Sequence, residues 1–195
     1  MLETERLIGR KVWLRAIESR DVDHLWRLRR DRDVGLLVGN LDVPTLDQWR
    51  RMYQPSLWQG GADPSDLASY AIATRQEDLA IGMIGLRSTL LPHRAAELST
   101  WLGKQYWNQG YGTDAVRTLV DYGFRALKLH KVFLRVLVSN PRAIRCYEKC
   151  GFRPEGVHRQ ELYLDGAWHD LMYMGILAPE HAHAAAVHQG GGRYV

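Results

Sequence analysis

The chain has 195 residues with 46% hydrophobic and 25% charged content, 26 Lys+Arg against 22 Asp+Glu and a net charge of +4. These are ordinary values for one globular domain with a sizeable core. No apolar run is long enough to span a bilayer, and the start, Met1-Leu2-Glu3-Thr4-Glu5-Arg6, is unlike a secretory signal. Only two cysteines occur, Cys146 and Cys150, four apart. Two thiols make no zinc site, and a disulfide would distort the helix predicted there, so both are expected reduced, as in the cytoplasm. The arginines are scattered except for Arg27, Arg29, Arg30 and Arg32, which read as a solvated helix face and not as a nucleic-acid footprint. A mild positive field suits a polyanionic ligand.

In chain order, residues 6–16 read as a first strand. A helix follows from Asp21 to Arg32, with Ser19 or Asp21 as its cap. Thr45 to Trp58 suggest a second helix, capped by Thr45, with Leu46, Trp49, Met52 and Tyr53 on an apolar face. Gly60 to Ser65 is a loop. Leu67–Thr74 and Leu79–Leu90 form a hairpin with Gln76-Glu77-Asp78 in its turn, and Ala95–Leu102 is the next strand. A long helix from Thr113 to Lys128 spaces Val116, Leu119, Val120, Phe124 and Leu127 for burial, with Gly123 allowing close packing. Strands then cover Val132–Val138, Arg153–Leu164 and Trp168–Leu177. Hairpins with a single strand–helix–strand crossover predict an α+β domain over 6–178, its mixed sheet carrying helices on both sides. Residues 179–195, with His181, His183, His188 and a glycine run, read as a flexible tail and not as a metal site.

Two stretches carry chemistry. In Trp107-Asn108-Gln109-Gly110-Tyr111-Gly112-Thr113-Asp114-Ala115 a glycine turn opens a helix directly after a strand. The first N–H groups of a helix have no intrahelical partner and point outward with the positive end of the dipole behind them. Glycines at 110 and 112 let an anion approach the backbone and make φ > 0 accessible. A lone Gly-x-Gly is also an ordinary tight turn. Downstream, Ser139-Asn140-Pro141 reads as a cap with proline at the first helical position, and Gly151 as a left-handed C-cap. Asn140, Ala143 and Tyr147 then share one face of the short helix between them.

Gln109 to Ala115, followed by Asn140-Pro141-Arg142-Ala143 and Tyr147-Glu148-Lys149-Cys150-Gly151-Phe152, resembles the GNAT N-acetyltransferase superfamily. Within it the chain is most similar to the ribosomal-protein N-terminal acetyltransferases and their polyamine- and antibiotic-modifying relatives. The resemblance runs from about Leu7 to about Leu177. It takes in Val12-Trp13-Leu14-Arg15 and Trp101-Leu102-Gly103, and Asp165 to Asp170 as the final hairpin. It implies a single domain with a twisted, mostly antiparallel mixed sheet, flanked by helices and splayed at an acetyl-CoA cleft. Acetyl-CoA contacts are implied for Trp101, Leu102, Gly103, Gln109, Gly110, Tyr111, Gly112, Thr113, Asn140, Arg142, Ala143 and Lys149. The family often has Arg or Gln where Trp107 stands, and Ser where Ala143 stands; neither change removes a group that the chemistry needs.

Acetyl transfer from a thioester to an amine needs a neutral amine, proximity, an oxyanion donor and a proton for the leaving thiolate. Tyr147 is the candidate general acid and Glu97 the candidate base through water; aromatic packing and an ion pair are their competing roles. An N–H near Leu102 is the expected oxyanion donor. Cys146 is expected as a buried structural thiol, since an amine attacks a thioester without a covalent intermediate. Trp49, Tyr53, Trp58, Tyr163 and Trp168 are candidates for the acceptor pocket. The expected partner is an amine, from a protein N-terminus or a small molecule, with no nucleic acid, no membrane, no metal and, at most, a second copy in a homodimer. The alternatives are a polyamine or antibiotic acetyltransferase and a non-catalytic acyl-CoA-binding module. The absence of Gly-Lys-Ser/Thr after the turn argues against a phosphate-loop NTPase.

Overall fold

A computed structural model describes residues 6–53, 66–90 and 93–182. Trp58, the loop at 60–65, His183 and His188 lie outside the described residues.

Among the described residues fourteen elements follow in order. They are β1 (Leu7–Ile8), β2 (Val12–Arg15), α1 (Ser19–Arg29), α2 (Arg32–Val38), α3 (Leu46–Met52), β3 (Asp66–Thr74), β4 (Ala80–Leu90) and β5 (Ala95–Leu102). After a 3₁₀ turn (Lys104–Tyr106) come α4 (Tyr111–Arg125), β6 (Lys131–Leu137), α5 (Pro141–Lys149), β7 (Arg153–Leu164) and β8 (Ala167–Leu177). The strands make one sheet in the order β1-β2-β3-β4-β5-β6-β8-β7. Every pairing is antiparallel except β5 with β6. That exception is the β5–α4–β6 crossover, because parallel neighbours need a long connection. This is the α+β architecture, with a mixed and mostly antiparallel sheet, that the resemblance implies.

The β5–β6 ladder holds only Ala95 to Glu97 against Lys131 to Phe133. Beyond it β5 continues to Leu102 along β4, and β6 to Leu137 along β8. The sheet therefore opens into a V between the C-terminal halves of β5 and β6. Backbone groups on the inner edges of the V lose their ladder partners there.

Each face of the sheet has its own core. On one, α4 and α5 cover Val12, Leu14, Ile72, Ile81, Leu86, Leu98, Val132, Leu134 and Met174. Gly123 lets α4 come close: a Cβ there would stand 3.1 Å from Leu86 Cδ1. On the other face, Ile17, Val22, Leu25 and Trp49 of α1, its lead-in and α3 meet Ala71, Ala80 and Met83. No helix among the described residues is long and apolar enough to cross a membrane.

The early elements differ from expectation. Residues 6–16 are two short strands in a hairpin, because the chain reverses around Gly9, whose N–H donates to Val12 O at 2.9 Å. The helix expected to run to Arg32 ends at Arg29, and Asp31 caps a new one by accepting the N–H groups of Asp33 and Val34. Asp31 was read through because it lies inside a run of helix-compatible charges. Arg29 is not on a solvated face; it is 7% exposed. Residues 178–182 form a helical turn in which His181 Nε2 lies 3.1 Å from Asp121 Oδ1.

The sheet edges contrast with this order. β1 is two residues long. β7 runs for 12 residues along the opposite edge, exposed over most of its length, with register breaks between Pro154 and Gly156 and between His158 and Leu162.

Candidate active site

A cleft of about 940 Å³ occupies the V and extends under α2 and α3. Its first half is built from β5, the loop to α4, the start of α4, and α5. Trp101, Leu102, Gly110, Gly112, Thr113, Asn140, Arg142, Ala143 and Lys149 all line it. Gly103, Gln109 and Tyr111 do not. Gly103 is buried against Leu28, Gln109 donates Nε2 to Gln105 O at 2.7 Å, and Tyr111 meets the Tyr106 ring edge-on at 6.5 Å.

The start of α4 is distinctive. Asp31, Thr45 and Asn140 cap α2, α3 and α5 with side-chain oxygens, and in α1 the Asp21 carboxylate reaches back to the Glu18 N–H. Helix α4 starts on Gly110, which has no side chain to cap with. Its first amides are therefore left for an anion. Gly110 sits at φ +84° and Asn108 at +60°, the left-handed conformations that turn the loop. Gly112 is not the positive-φ position expected; it lies in the first turn of α4. A Cβ there would meet Leu102 Cδ1 at 3.5 Å and Cys146 Sγ at 3.8 Å, so at this position glycine provides space between α4, β5 and α5.

Asp114 holds this loop in place, and the sequence reading missed it. Its carboxylate accepts the backbone N–H groups of Arg10, Lys11 and Val12 at 3.1, 2.7 and 3.1 Å. Lys11 Nζ donates to Gln109 O at 2.9 Å. The β1–β2 hairpin is thus tied to the phosphate loop. An acidic residue in a first helical turn looks like a dipole partner in sequence, and nothing local shows a contact about a hundred residues back in the chain.

Trp107 does more than fill its place. Its Nε1 donates to Leu102 O at 2.9 Å, and the Arg142 guanidinium lies 3.5 Å from its ring centroid. Burial lowers the Arg142 pKa, with only Cys146 opposing. Gly103 N donates to Ile81 O on β4, so by strand alternation the Leu102 N–H faces the open V.

Tyr147 lines the same cleft at 8% exposure, packed against Phe152 at 5.9 Å between centroids. Burial pushes its phenol well above the usual tyrosine range, and the neighbouring thiols add to this, so the proton stays on at neutral pH. Gly151, at φ +93°, ends α5, and the Phe152 N–H returns to Tyr147 O at 3.1 Å. Glu97 also lines the cleft, and Arg135 Nε donates to its Oε1 at 2.8 Å. The ion pair weighed against a catalytic role is therefore present. Asn140 Oδ1 accepts the Ala143 N–H at 3.2 Å, the capping role.

Both cysteines are free thiols. Cys150 is buried, but Cys146 is only partly so and lines the cleft, 3.3 Å from Thr113 Oγ1. Contact with Cys150 lowers the Cys146 thiol below the usual thiol range, with Thr113, Lys149 and Arg117 acting in the same direction against burial. Cys146 is therefore not the buried structural thiol expected: it is half-buried and faces the cleft from α5.

The second half of the cleft is lined by Arg29, Val34, Leu37, Asn40, Trp49 and Tyr53, among others. Trp49 and Tyr53 both line it, with ring centroids 4.6 Å apart. Tyr163 and Trp168 do not line it. They pack on each other at the exposed tip of the β7–β8 hairpin, centroids 5.1 Å apart. There Asp165 and Gly166 both have positive φ, as a two-residue hairpin turn requires.

An uncapped helix start beside a splayed parallel strand pair is an arrangement suited to an anionic ligand. Comparison with known proteins agrees. A model of the acetyltransferase (GNAT) domain matches residues 11–153. The spermidine N(1)-acetyltransferase of Vibrio cholerae is 27% identical over 164 residues, 84% of this chain and 91% of that one. The putative ribosomal N-acetyltransferase YdaF of Bacillus subtilis is 27% identical over 184 residues, 89% and 94% of the two chains. Among solved structures, the Vibrio cholerae spermidine N-acetyltransferase in complex with CoA and spermine superposes with a TM-score of 0.77 at 26% identity, covering 88% of this chain and 98% of that one. A Bacillus anthracis acetyltransferase of the GNAT family gives the same TM-score at 22% identity, over 90% and 99%, and shows the fold alone. The chain belongs to the GNAT acetyltransferase family. It is an acyltransferase whose acetyl donor is acetyl-CoA.

Proposed function

We propose that the protein transfers the acetyl group directly to a primary amine, and that the amine is a weakly basic α-amine, of a protein N-terminus or a small molecule. The carrying observation is the make-up of the cleft lining. Its described acidic residues are Asp42 and Glu97, and Glu97 is paired with Arg135; Arg29, Arg142, Arg145 and Lys149 stand with them. With Arg142 and Lys149 turned to the donor phosphates, the acceptor half sets Asp42 against Arg29 and Glu97 against Arg135, so its described residues offer no surplus of carboxylate to hold a polycation. An α-amine has a reference pKa of about 7.7–8.0 against about 10.4 for an alkyl amine, so it needs less acidic help to become neutral. This favours the ribosomal-protein N-terminal acetyltransferase branch of the family.

The amides of residues 110–113 cradle the pyrophosphate, with Arg142 and Lys149 supplying positive charge and Trp101, Asn140 and Ala143 lining the path. Acetyl-CoA supplies the thioester-activated acetyl group. The Leu102 N–H donates to the developing oxyanion. Tyr147 holds the proton that neutralises the leaving sulfur. Glu97, oriented by Arg135, takes the amine proton through water. Two free thiols suit the reducing cytoplasm. Neither nucleic acid nor a second copy enters this scheme.

The test is a panel of N-terminal peptides, amino acids and polyamines, with mass detection of the acetylated product. Spermidine as the best substrate would replace this reading with the polyamine one, the activity named for the Vibrio cholerae relative; release of thiol without any acetylated amine would remove amine transfer itself.

A further inference from the structure

Two hydrogen-bond donors in the acceptor half of the cleft are buried and unused. Arg29, in the last turn of α1, donates from Nη2 to Asn40 O at 2.7 Å. Its Nη1 has no partner among the described residues although it is sealed from solvent. Trp49, 6% exposed, leaves its Nε1 in the same state. Both residues line the cleft.

The rest of the molecule shows how unusual this is. Buried Arg15 is answered by Asp21 at 2.6 Å and Asp78 at 2.8 Å. Arg29 has no ion pair with any described carboxylate. Burial lowers its pKa, and the one opposing influence is Tyr53. A guanidinium nonetheless keeps its proton. A buried cation without a counter-charge is costly to hold, and it strongly favours an anion brought to it.

We infer that Arg29 and Trp49 receive a carboxylate of the acceptor, so that the substrate class is an amine that also carries a carboxylate. This rests on the amine-transfer reading above and narrows it. A guanidinium N–H and an indole N–H together suit an oxygen pair, since both groups only donate. The carboxylate belongs either to a free α-amino acid or to an acidic residue near the N-terminus of a peptide. The chemistry is shared, and the assay separates the sources.

The full-length protein is assayed with saturating acetyl-CoA on matched acceptors: an α-amino acid against its carboxamide, a dipeptide with aspartate second against the asparagine form, and spermidine. The carboxylate member of one pair is expected to exceed its neutral partner by about tenfold or more in kcat/KM, the scale of one charge-assisted contact. The responding pair identifies the source. In Arg29→Met the preference should collapse to within about twofold, while Arg29→Lys keeps part of it and Trp49→Phe lowers it. A merely structural Arg29 would instead lower the thermal midpoint and leave the preference intact. A second measurement needs no turnover. The N-acetylated amino acid, or the N-acetylated aspartyl dipeptide, should raise the wild-type midpoint more than its neutral counterpart does, and Arg29→Met should lose that difference while acetyl-CoA stabilises both proteins alike. If Arg29→Met does not fold, Arg29→Lys and the wild-type comparisons decide. Equal use and equal binding of the carboxylate and neutral members, a preference for spermidine, or a preference that survives in Arg29→Met overturns the inference. Failure of every amine in the panel sinks amine transfer instead, and the binding comparison still judges Arg29.

Discussion

The two halves of the cleft are built by different means. In the proposed scheme the donor half offers backbone: an uncapped helix start, a left-handed glycine and the inner edge of a strand that has left its partner. The proposed acceptor half offers side chains brought together from α1, α2 and α3. Backbone recognition fixes the chemistry of the guest and depends little on the surrounding side chains. Side-chain recognition can change with one substitution. A family built this way can keep its donor and vary its acceptor.

The largest expected effect sharpens the boundary between the halves. Tyr147→Phe removes one oxygen and keeps the ring, so packing against Phe152 survives. Single-turnover rate should fall about 10²-fold or more, with acetyl-CoA affinity unchanged. A near-normal rate with the true acceptor would leave Tyr147 as a packing residue.

Asp114→Ala tests whether the donor half stands alone. It strands three backbone donors, and we expect a stability loss of about 2 kcal/mol in denaturant unfolding, with weaker acetyl-CoA binding. Intact affinity in calorimetry would show that the phosphate loop does not need the N-terminal hairpin.

Gly112→Val should weaken acetyl-CoA binding by more than about 1 kcal/mol, through crowding and not through φ, because branching at Cβ overfills the gap to Leu102 and Cys146. Gly112→Ala fits that gap and should keep the fold. Wild-type affinity in the valine variant would move the phosphate site elsewhere.

Arg50→Ala, on the acceptor side, is the smallest. Its ion pair with Asp23 at 2.6 Å joins α3 to α1 but is solvent-exposed. No measurable change in thermal midpoint at moderate salt is expected. A clear loss would mean that surface charge, and not Trp49 in its core, holds the acceptor half together.

The same contrast explains what could be read from sequence. Asn140-Pro141, Gly151, the Gly110 turn and the Asp165-Gly166 hairpin leave local signatures, since each solves a backbone problem within a few residues. The strand bounds from Leu67 onward came through for a similar reason: alternation and apolar runs are local. The α2 start at Asp31 and the reversal at Gly9 were hidden inside runs that suited either structure. Arg29 was hidden more deeply. One of four nearby arginines turns inward, and which one depends on where α1 lies against α2 and α3. Asp114 and Arg135 likewise owe their roles to partners 102–104 and 38 residues away.

The outer rims of the sheet have a consequence for life at high concentration. An open sheet invites a neighbouring molecule to add a strand to its margin. Here one rim, β1, is only two residues long, too short to template anything. The other, β7, is long enough, but Pro154 lacks a donor and two breaks in register interrupt the row. Charged Arg153, Glu155, Arg159 and Glu161 punctuate it further. These irregularities work as insulation: they interrupt the row of donors and acceptors that a strand from another molecule would need.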